Sequence, residues 1–167
     1  MIEALRYSPD YDTKGERIVV EEQSVGVLIV KDGHVLTVRN RAGTGLGEGV
    51  WGLPAGKKLK TIPESDREAA VRELQQETGL VAEVANLIEF PGNYFQKEIP
   101  VNGHHKLMSW RVFICSEFTG ELNNKPTDEV MPPEWVPLNR LHLYETGPNV
   151  PEVIQNVVDF LNPQASE

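Results

Sequence analysis

Apolar residues crowd into two runs early in the chain, Val25 with 27–30 and then Val35, Leu36 and Val38, on either side of Lys31-Asp32-Gly33. Two β-branched runs joined by an Asp-Gly turn predict a β-hairpin. Residues 1–23 before it are polar, with turn signals at Ser8-Pro9-Asp10 and Lys14-Gly15, and predict an irregular arm ending in a short strand at 18–20. After the hairpin, "RAGTGLGEGVWGLPAG" holds five glycines between Gly43 and Gly52. That stretch predicts a flexible loop leading into a short strand at 50–53. Its spacing fits neither of the common phosphate-binding glycine patterns.

Ser65 followed three residues later by Glu68 is a capping box, Asp66 and Glu68 suit a helix N-terminus, and Gly79 is a stop, so a helix is predicted over 66–78. Strands are expected at 81–90 and 106–118, separated by a loop rich in Pro, Gly, Asn and His, and a short one at 134–137. A last helix is expected over 151–161, where Val153, Ile154, Val157, Val158 and Leu161 make an apolar stripe. Strands on either side of a central helix, closed by a C-terminal helix, predict a mixed α/β sandwich. The domain is expected to span 24–162, between the arm at 1–23 and a tail at 163–167.

The 167 residues are 40% hydrophobic and 25% charged, ordinary for one globular domain. No apolar run is long enough to span a bilayer, and the N-terminus lacks the basic start and apolar stretch of a signal peptide, so the protein is expected in the cytoplasm and away from membranes. A net charge of −9 with no basic stripe argues against tracking along a nucleic-acid polymer. An acidic protein that handles an anionic substrate needs local cations or bridging metal ions. The single cysteine, Cys115, excludes an intrachain disulfide; its apolar neighbours in "WRVFICSEF" mark it as a small buried hydrophobe.

The chemistry concentrates on the predicted helix. At about 100° per residue, Glu73, Gln76 and Glu77 project within roughly 100° of one another, beside an apolar stripe of Ala70, Val71 and Leu74. The carboxylates thus fall at the border between core and cleft. Two like charges at i and i+4 cost an isolated helix about 0.2–0.5 kcal/mol. A solvated acidic face with Arg72 as counter-charge accommodates this; so does a hard divalent cation, which takes carboxylate oxygens together with substrate phosphates.

The segment "RELQQETGL", with Glu64 seven residues ahead of Arg72, resembles the signature of the Nudix hydrolases, G-x5-E-x7-R-E-U-x-E-E-x-G-U, where U is a bulky aliphatic residue. Arg72, Glu73, Leu74, Glu77, Gly79 and Leu80 fall in place, and "WGLPAGK" resembles the strand and loop that lead into that box. Two departures stand out. Seven residues rather than five separate Gly56 from Glu64, and Gln76 replaces the first glutamate of the E-E pair. The resemblance implies a Nudix-type α/β/α sandwich with a mixed sheet. It also implies Mg²⁺-dependent, or Mn²⁺-dependent, hydrolysis of a nucleoside diphosphate linked to another group, a nucleoside triphosphate in the first instance. Glu73, Glu77, the Gly56 carbonyl and, more weakly, the Gln76 amide would hold the metal. ADP-ribose or a nucleotide sugar is the alternative substrate, and a binding or sensor domain weakened by Gln76 is the alternative role; a homodimer stays open.

Other residues complete the candidate site. In "KPTDEVMPPEW" Glu129 is favoured over Asp128 as general base. Glu64 and Arg72 are expected to tie loop to helix, and Gly79 to end it. Arg39 and Arg41 are candidate phosphate contacts, Tyr94 and Phe95 candidate stacking partners for a base, and His104 a candidate substrate contact. His104-His105 has no third ligand at zinc spacing. Trp51 and Trp135 are assigned to the core or its rim.

Overall fold

A computed structural model describes residues 19–41, 49–59, 61–101, 104–147 and 149–166. The arm as far as residue 18 and the glycine loop at 42–48 lie outside the described residues. The central pairing is between β1 (Val19–Leu28) and β8 (His104–Cys115), which run parallel from Val19 opposite His105 to Leu28 opposite Ile114. β5 (Ala55–Lys57) lies antiparallel on the far edge of β1. β7 (Tyr94–Val101) and β6 (Leu87–Ile88) lie antiparallel to β8 on its other side. A smaller antiparallel sheet forms around β3 (His34–Arg39), which pairs with β2 (Val30–Lys31), β4 (Trp51–Gly52) and β9 (Glu134–Pro137).

Both faces of the parallel pair are buried, and the alternation of side chains along a strand divides them. Val25, Val27 and Ile29 with Phe113 and Cys115 face α1 (Asp66–Thr78), which contributes Ala69, Ala70 and Leu74. Leu28 with Val112 and Ile114 faces α2 (Val150–Leu161), which contributes Val150, Val153, Ile154 and Val157. The result is the helix–sheet–helix sandwich expected, with a mixed sheet. No helix of the described residues is long and apolar enough to cross a membrane.

α1 has the predicted bounds because its ends are chemically marked. The Ser65 hydroxyl accepts from the Glu68 N–H at 3.1 Å, and the Ser65 N–H donates to the Glu68 carboxylate at 2.8 Å. At the other end Gly79 adopts φ 86°, where an L side chain would be strained, and its N–H closes on the Gln75 carbonyl.

Four expectations need correction. The strand expected at 18–20 is, over its described residues 19–20, the beginning of β1, which is continuous to Leu28. The expected strand at 81–90 is a single bridge from Val81 to Thr119, a 3-10 turn at Val84–Asn86 and two residues of β6. Its buried residues, Ala82, Leu87 and Phe90, lie at odd spacings, so no one face of a strand could bury them. The segment read as a loop after it is β7; Gln96, Lys97 and Glu98 are exposed, so no apolar alternation marked it, and β8 supplies the pairing. β8 in turn starts at His104 and ends at Cys115, earlier at both ends than expected, and Phe118 packs separately against the α1-side core.

The cap gives a direct test of why α1 holds its place. Ser65→Ala should lower folding stability by about 1 kcal/mol, read as a lower urea midpoint at unchanged slope; an unaltered midpoint would show that tertiary packing alone fixes the helix start.

Candidate active site

Glu73 and Glu77 stand on the flank of α1 that meets β5, and both are almost out of solvent, 6% and 5% exposed. Each is held by a different part of the structure. A Glu77 carboxylate oxygen accepts from the Ala55 N–H at 3.0 Å. Glu73 accepts from the Arg72 guanidinium at 2.6 Å, and its carboxyl lies so close over Gly56 that any side chain there would overlap it. Gly56 is therefore required for space. It holds that place because β5 pairs in register with β1, Gly56 opposite Val25.

Arg72 is the tie expected of it. Its guanidinium donates to both Glu64 oxygens, at 3.1 and 2.9 Å, to the Lys57 carbonyl at 3.1 Å and to the Gln76 amide oxygen at 3.3 Å. Glu64 also accepts from the Leu59 N–H at 2.8 Å, so the long loop after Gly56 is fastened to the helix at its root. The Arg72 hydrogen bonds hold the Glu64 carboxyl below the usual carboxylate range. Gln76 is exposed and lines the same cleft.

Glu129 reaches this site from the other sheet. The Arg41 N–H donates to its carbonyl at 3.0 Å, Met131 N–H donates to the Arg39 carbonyl at 2.8 Å, and Asn40 bridges Val130. Thr127 caps the turn, its hydroxyl accepting from the N–H groups of Glu129 and Val130 at 3.3 and 3.1 Å. Glu129 lines the cleft, while its exposed neighbour Asp128 does not.

The electrostatic consequence is large. Burial pushes the Glu77 carboxyl up to about 8, outweighing the Ala55 hydrogen bond, and the charges of Glu73 and Glu129 add to the shift. Burial likewise raises Glu73 despite Arg72, with Glu129 and Glu64 adding to it. Among the described residues no three acidic, histidine or cysteine side chains already converge as a closed metal cage. The donors present are all oxygen: two buried carboxylates, peptide groups at Gly56 and the Gln76 amide. Such a set fits a hard divalent cation that keeps part of its water and takes further ligands from substrate phosphates.

The remaining candidates divide. Phe95 lines the cleft, packed on Trp110 with ring centroids 5.6 Å apart. Tyr94 stands outside it beneath the Arg111 guanidinium. Arg39 stacks on Trp51, and the Arg41 guanidinium donates to the Thr127 carbonyl, so both serve the walls that carry Glu129. The His104 side chain lies outside the described residues; His105 sits 3.3 Å from Glu98. Trp51 lines the cleft edge-on to Tyr144, Trp135 packs on the core, and Cys115 is buried with its thiol donating to the Glu117 carbonyl. Sequence reasoning missed Glu22, Lys57, Lys106, Met108 and Trp110, which also line the cleft. Their signal was alternation along β1 and β8, legible only once those strands are known to pair.

A pH dependence follows. Because the folded Glu77 binds its proton more tightly than the unfolded chain, its contribution favours folding at low pH and is lost as pH rises from about 4.5 toward about 8. In chelator, thermal stability of the protein should therefore fall across that window relative to Glu77→Gln, by at most about 1.4 kcal/mol per pH unit. Divalent cation should reverse the loss. Parallel melting curves for the two proteins from pH 5 to 8 would contradict it.

The comparisons with known proteins agree with this geometry. A family model described as NUDIX domain matches residues 21–157. The MutT Nudix hydrolase of Burkholderia pseudomallei superposes with a TM-score of 0.65 at 25% identity, over 82% of this chain and 98% of that one. An Ap4A hydrolase of C. elegans gives 0.59 at 14% identity, over 86% and 98% of the two chains. A bifunctional NMN adenylyltransferase/ADP ribose pyrophosphatase of Francisella tularensis, solved with AMP and a Mn ion, gives 0.58 at 20% identity, over 84% of this chain and 42% of that one. The last two likenesses concern the fold. The family match takes in Gly56, Glu64, Arg72, Glu73, Glu77 and Glu129 together, and the chain belongs to the Nudix family of hydrolases.

Proposed function

We propose that this protein is a Mg²⁺-dependent pyrophosphohydrolase that splits the diphosphate bond of a nucleoside diphosphate linked to a second group, with a nucleoside triphosphate as substrate. The observation that carries the reading is the pair Glu73 and Glu77, buried side by side in a cleft wall and raised in pKa, with Glu129 adding its charge to both. Strongly shifted carboxylates in a cleft mark a functional site, and a cation between them would relieve both burial and mutual repulsion. The cleft measures about 920 Å³, room for a nucleotide.

Glu73, Glu77 and the peptide carbonyl at Gly56 would hold the cation, with the Gln76 amide a neutral fourth oxygen. When bound, it supplies charge neutralisation for the diphosphate oxygens. The chain's own residues do the rest. Arg72 and Glu64 fix the helix against the loop so that the carboxylates do not move. Glu129, outside the buried pair and exposed, takes the proton of the attacking water as its oxygen bonds to phosphorus and the bridging P–O bond breaks. The fold neighbours named above, among them a protein that carries a Mn ion, support a divalent metal and a nucleotide.

A screen of nucleoside triphosphates, dinucleoside polyphosphates, ADP-ribose and nucleotide sugars with Mg²⁺ or Mn²⁺, scored by phosphate after a coupled phosphatase, tests the activity. With the substrate found, Glu129→Ala should lower turnover about 10²–10⁴-fold with little change in KM. Wild-type turnover in that variant would move the base elsewhere.

Gln76 favours a second reading, a nucleotide sensor whose metal site is weak, because its amide brings no charge and leans on Arg72. The two readings part on one variant. As an enzyme, Gln76→Glu should gain activity and need less Mg²⁺ for half-saturation. As a sensor it should bind metal more tightly and still release no product. Coincident Mg²⁺ titrations of hydrolysis would remove Gln76 from the metal site altogether.

A further inference from the structure

The cleft has a second half that the carboxylate site does not use. Its floor continues the sheet face that buries Leu28, Val112 and Ile114 beneath α2. Between β1 and β8, Ser24 stands opposite Trp110 and Glu22 opposite Met108; between β7 and β8, Phe95 stands opposite Trp110. Alternation along each strand puts these side chains, with Lys106, on that one face. Phe95 and Trp110 are half-buried and packed on the core with their rings tilted 43° to each other, so the floor is a fixed apolar plate of two inclined rings.

A carboxylate stands at the edge of the plate. One oxygen of Glu22 receives the ammonium of Lys57 at 3.0 Å and also that of Lys106. No hydrogen bond from the described residues reaches the other oxygen. Burial works against the charge of Glu22, but the two lysines outweigh it and hold the group ionised, below the usual carboxylate range. Lys57 also measures the distance to the hydrolytic half: its carbonyl accepts from Arg72 at 3.1 Å while its ammonium rests on Glu22. One lysine side chain separates the two halves, a span that a ribose can bridge.

Resting on the reading of this cleft as a nucleotide site, we propose that the Phe95–Trp110–Met108 plate stacks the nucleobase and that Glu22, braced by Lys57 and Lys106, selects a base that presents an N–H donor at its pairing edge. A plate of aromatic and thioether groups calls for a planar ring. The open carboxylate oxygen calls for a donor, and the ammonium groups of Lys57 and Lys106 are already committed to its partner oxygen. A half-buried acceptor discriminates, because a ligand without the donor covers the second oxygen and leaves it without a hydrogen bond.

Nucleosides, which have no phosphate to cleave, test base recognition apart from hydrolysis. Binding is measured by calorimetry and by quenching of tryptophan fluorescence for matched pairs: adenosine and purine riboside, inosine and 1-methylinosine, uridine and 3-methyluridine, with ribose as the baseless control. The wild-type protein should prefer the donor-bearing member of at least one pair by about ten-fold or more, and Glu22→Ala should erase that preference. Trp110→Leu should weaken all bases while leaving the preference in place. Should Glu22→Ala fail to fold, Glu22→Gln, which keeps the shape and loses the charge, should reduce the preference several-fold. Ribose binding as well as the nucleosides, no preference in the wild type, or a preference unchanged in the Glu22 variants would each overturn the proposal. Hydrolysis of the matching triphosphates separates the two readings. Base preference without product sinks the hydrolase and leaves the pocket, whereas product with equal kcat/KM within every pair sinks the pocket and leaves the hydrolase.

Discussion

Everything in this molecule is arranged around holding two carboxylates out of water at the seam between one helix and one three-residue strand. An ionised group moved from water into a protein interior loses solvation that must be replaced by hydrogen bonds or by opposite charge. Here the replacement is partial. Glu73 has a guanidinium and Glu77 has a single peptide N–H, and the deficit appears as the raised affinity of Glu77 for a proton. That deficit is what the proposed cation would make good, since a fully compensated pair would have no reason to bind one.

The constraint explains local features that otherwise look unrelated. β5 must pair with β1 so that Ala55 offers its N–H and Gly56 offers room. The Ser65 cap fixes the register of α1, in which a slip of one residue would rotate Glu73 and Glu77 by about 100° away from β5. The loop from Gly56 to Glu64 is free to carry two more residues than the usual spacing because the Arg72–Glu64 pair and the Leu59 N–H fix its far end. Length there is taken up between two anchored points, and neither anchor moves.

Much of this was legible in the amino-acid order, for reasons that differ by element. α1 is written in local chemistry, a capping box and a glycine stop, and its bounds could be read to the residue. The carboxylate site was legible because it lies on that one helix. The second half of the cleft was not, since Glu22, Lys106 and Trp110 meet only through pairing of strands far apart in the chain. β7 was hidden for a related reason: its exposed, charged residues leave no periodic trace, and only the neighbouring strand makes it a strand. Arg39 and Arg41 were read as phosphate contacts from their place beside the glycine loop; the structure adds that Arg39 stacks on Trp51 and that Arg41 donates to the Thr127 carbonyl.

The parallel pairing of β1 with β8 also bears on how the chain comes to fold. β1 ends at Leu28 and β8 starts only at His104, so the centre of the sheet closes only after the long stretch between them is available. Local contacts, the hairpin around Asp32 and the capped helix, can form early, but they leave both faces and one edge of β1 uncovered. Contacts between distant parts of a sequence are slow to form because the entropy of closing the intervening chain comes first. During synthesis on a ribosome, β1 therefore stays an unsatisfied strand edge until Cys115 has emerged, and an unpaired apolar edge is an invitation to other chains. The same pairing that sets the cleft floor makes this a protein of high contact order, whose nascent chain passes through a window open to aggregation.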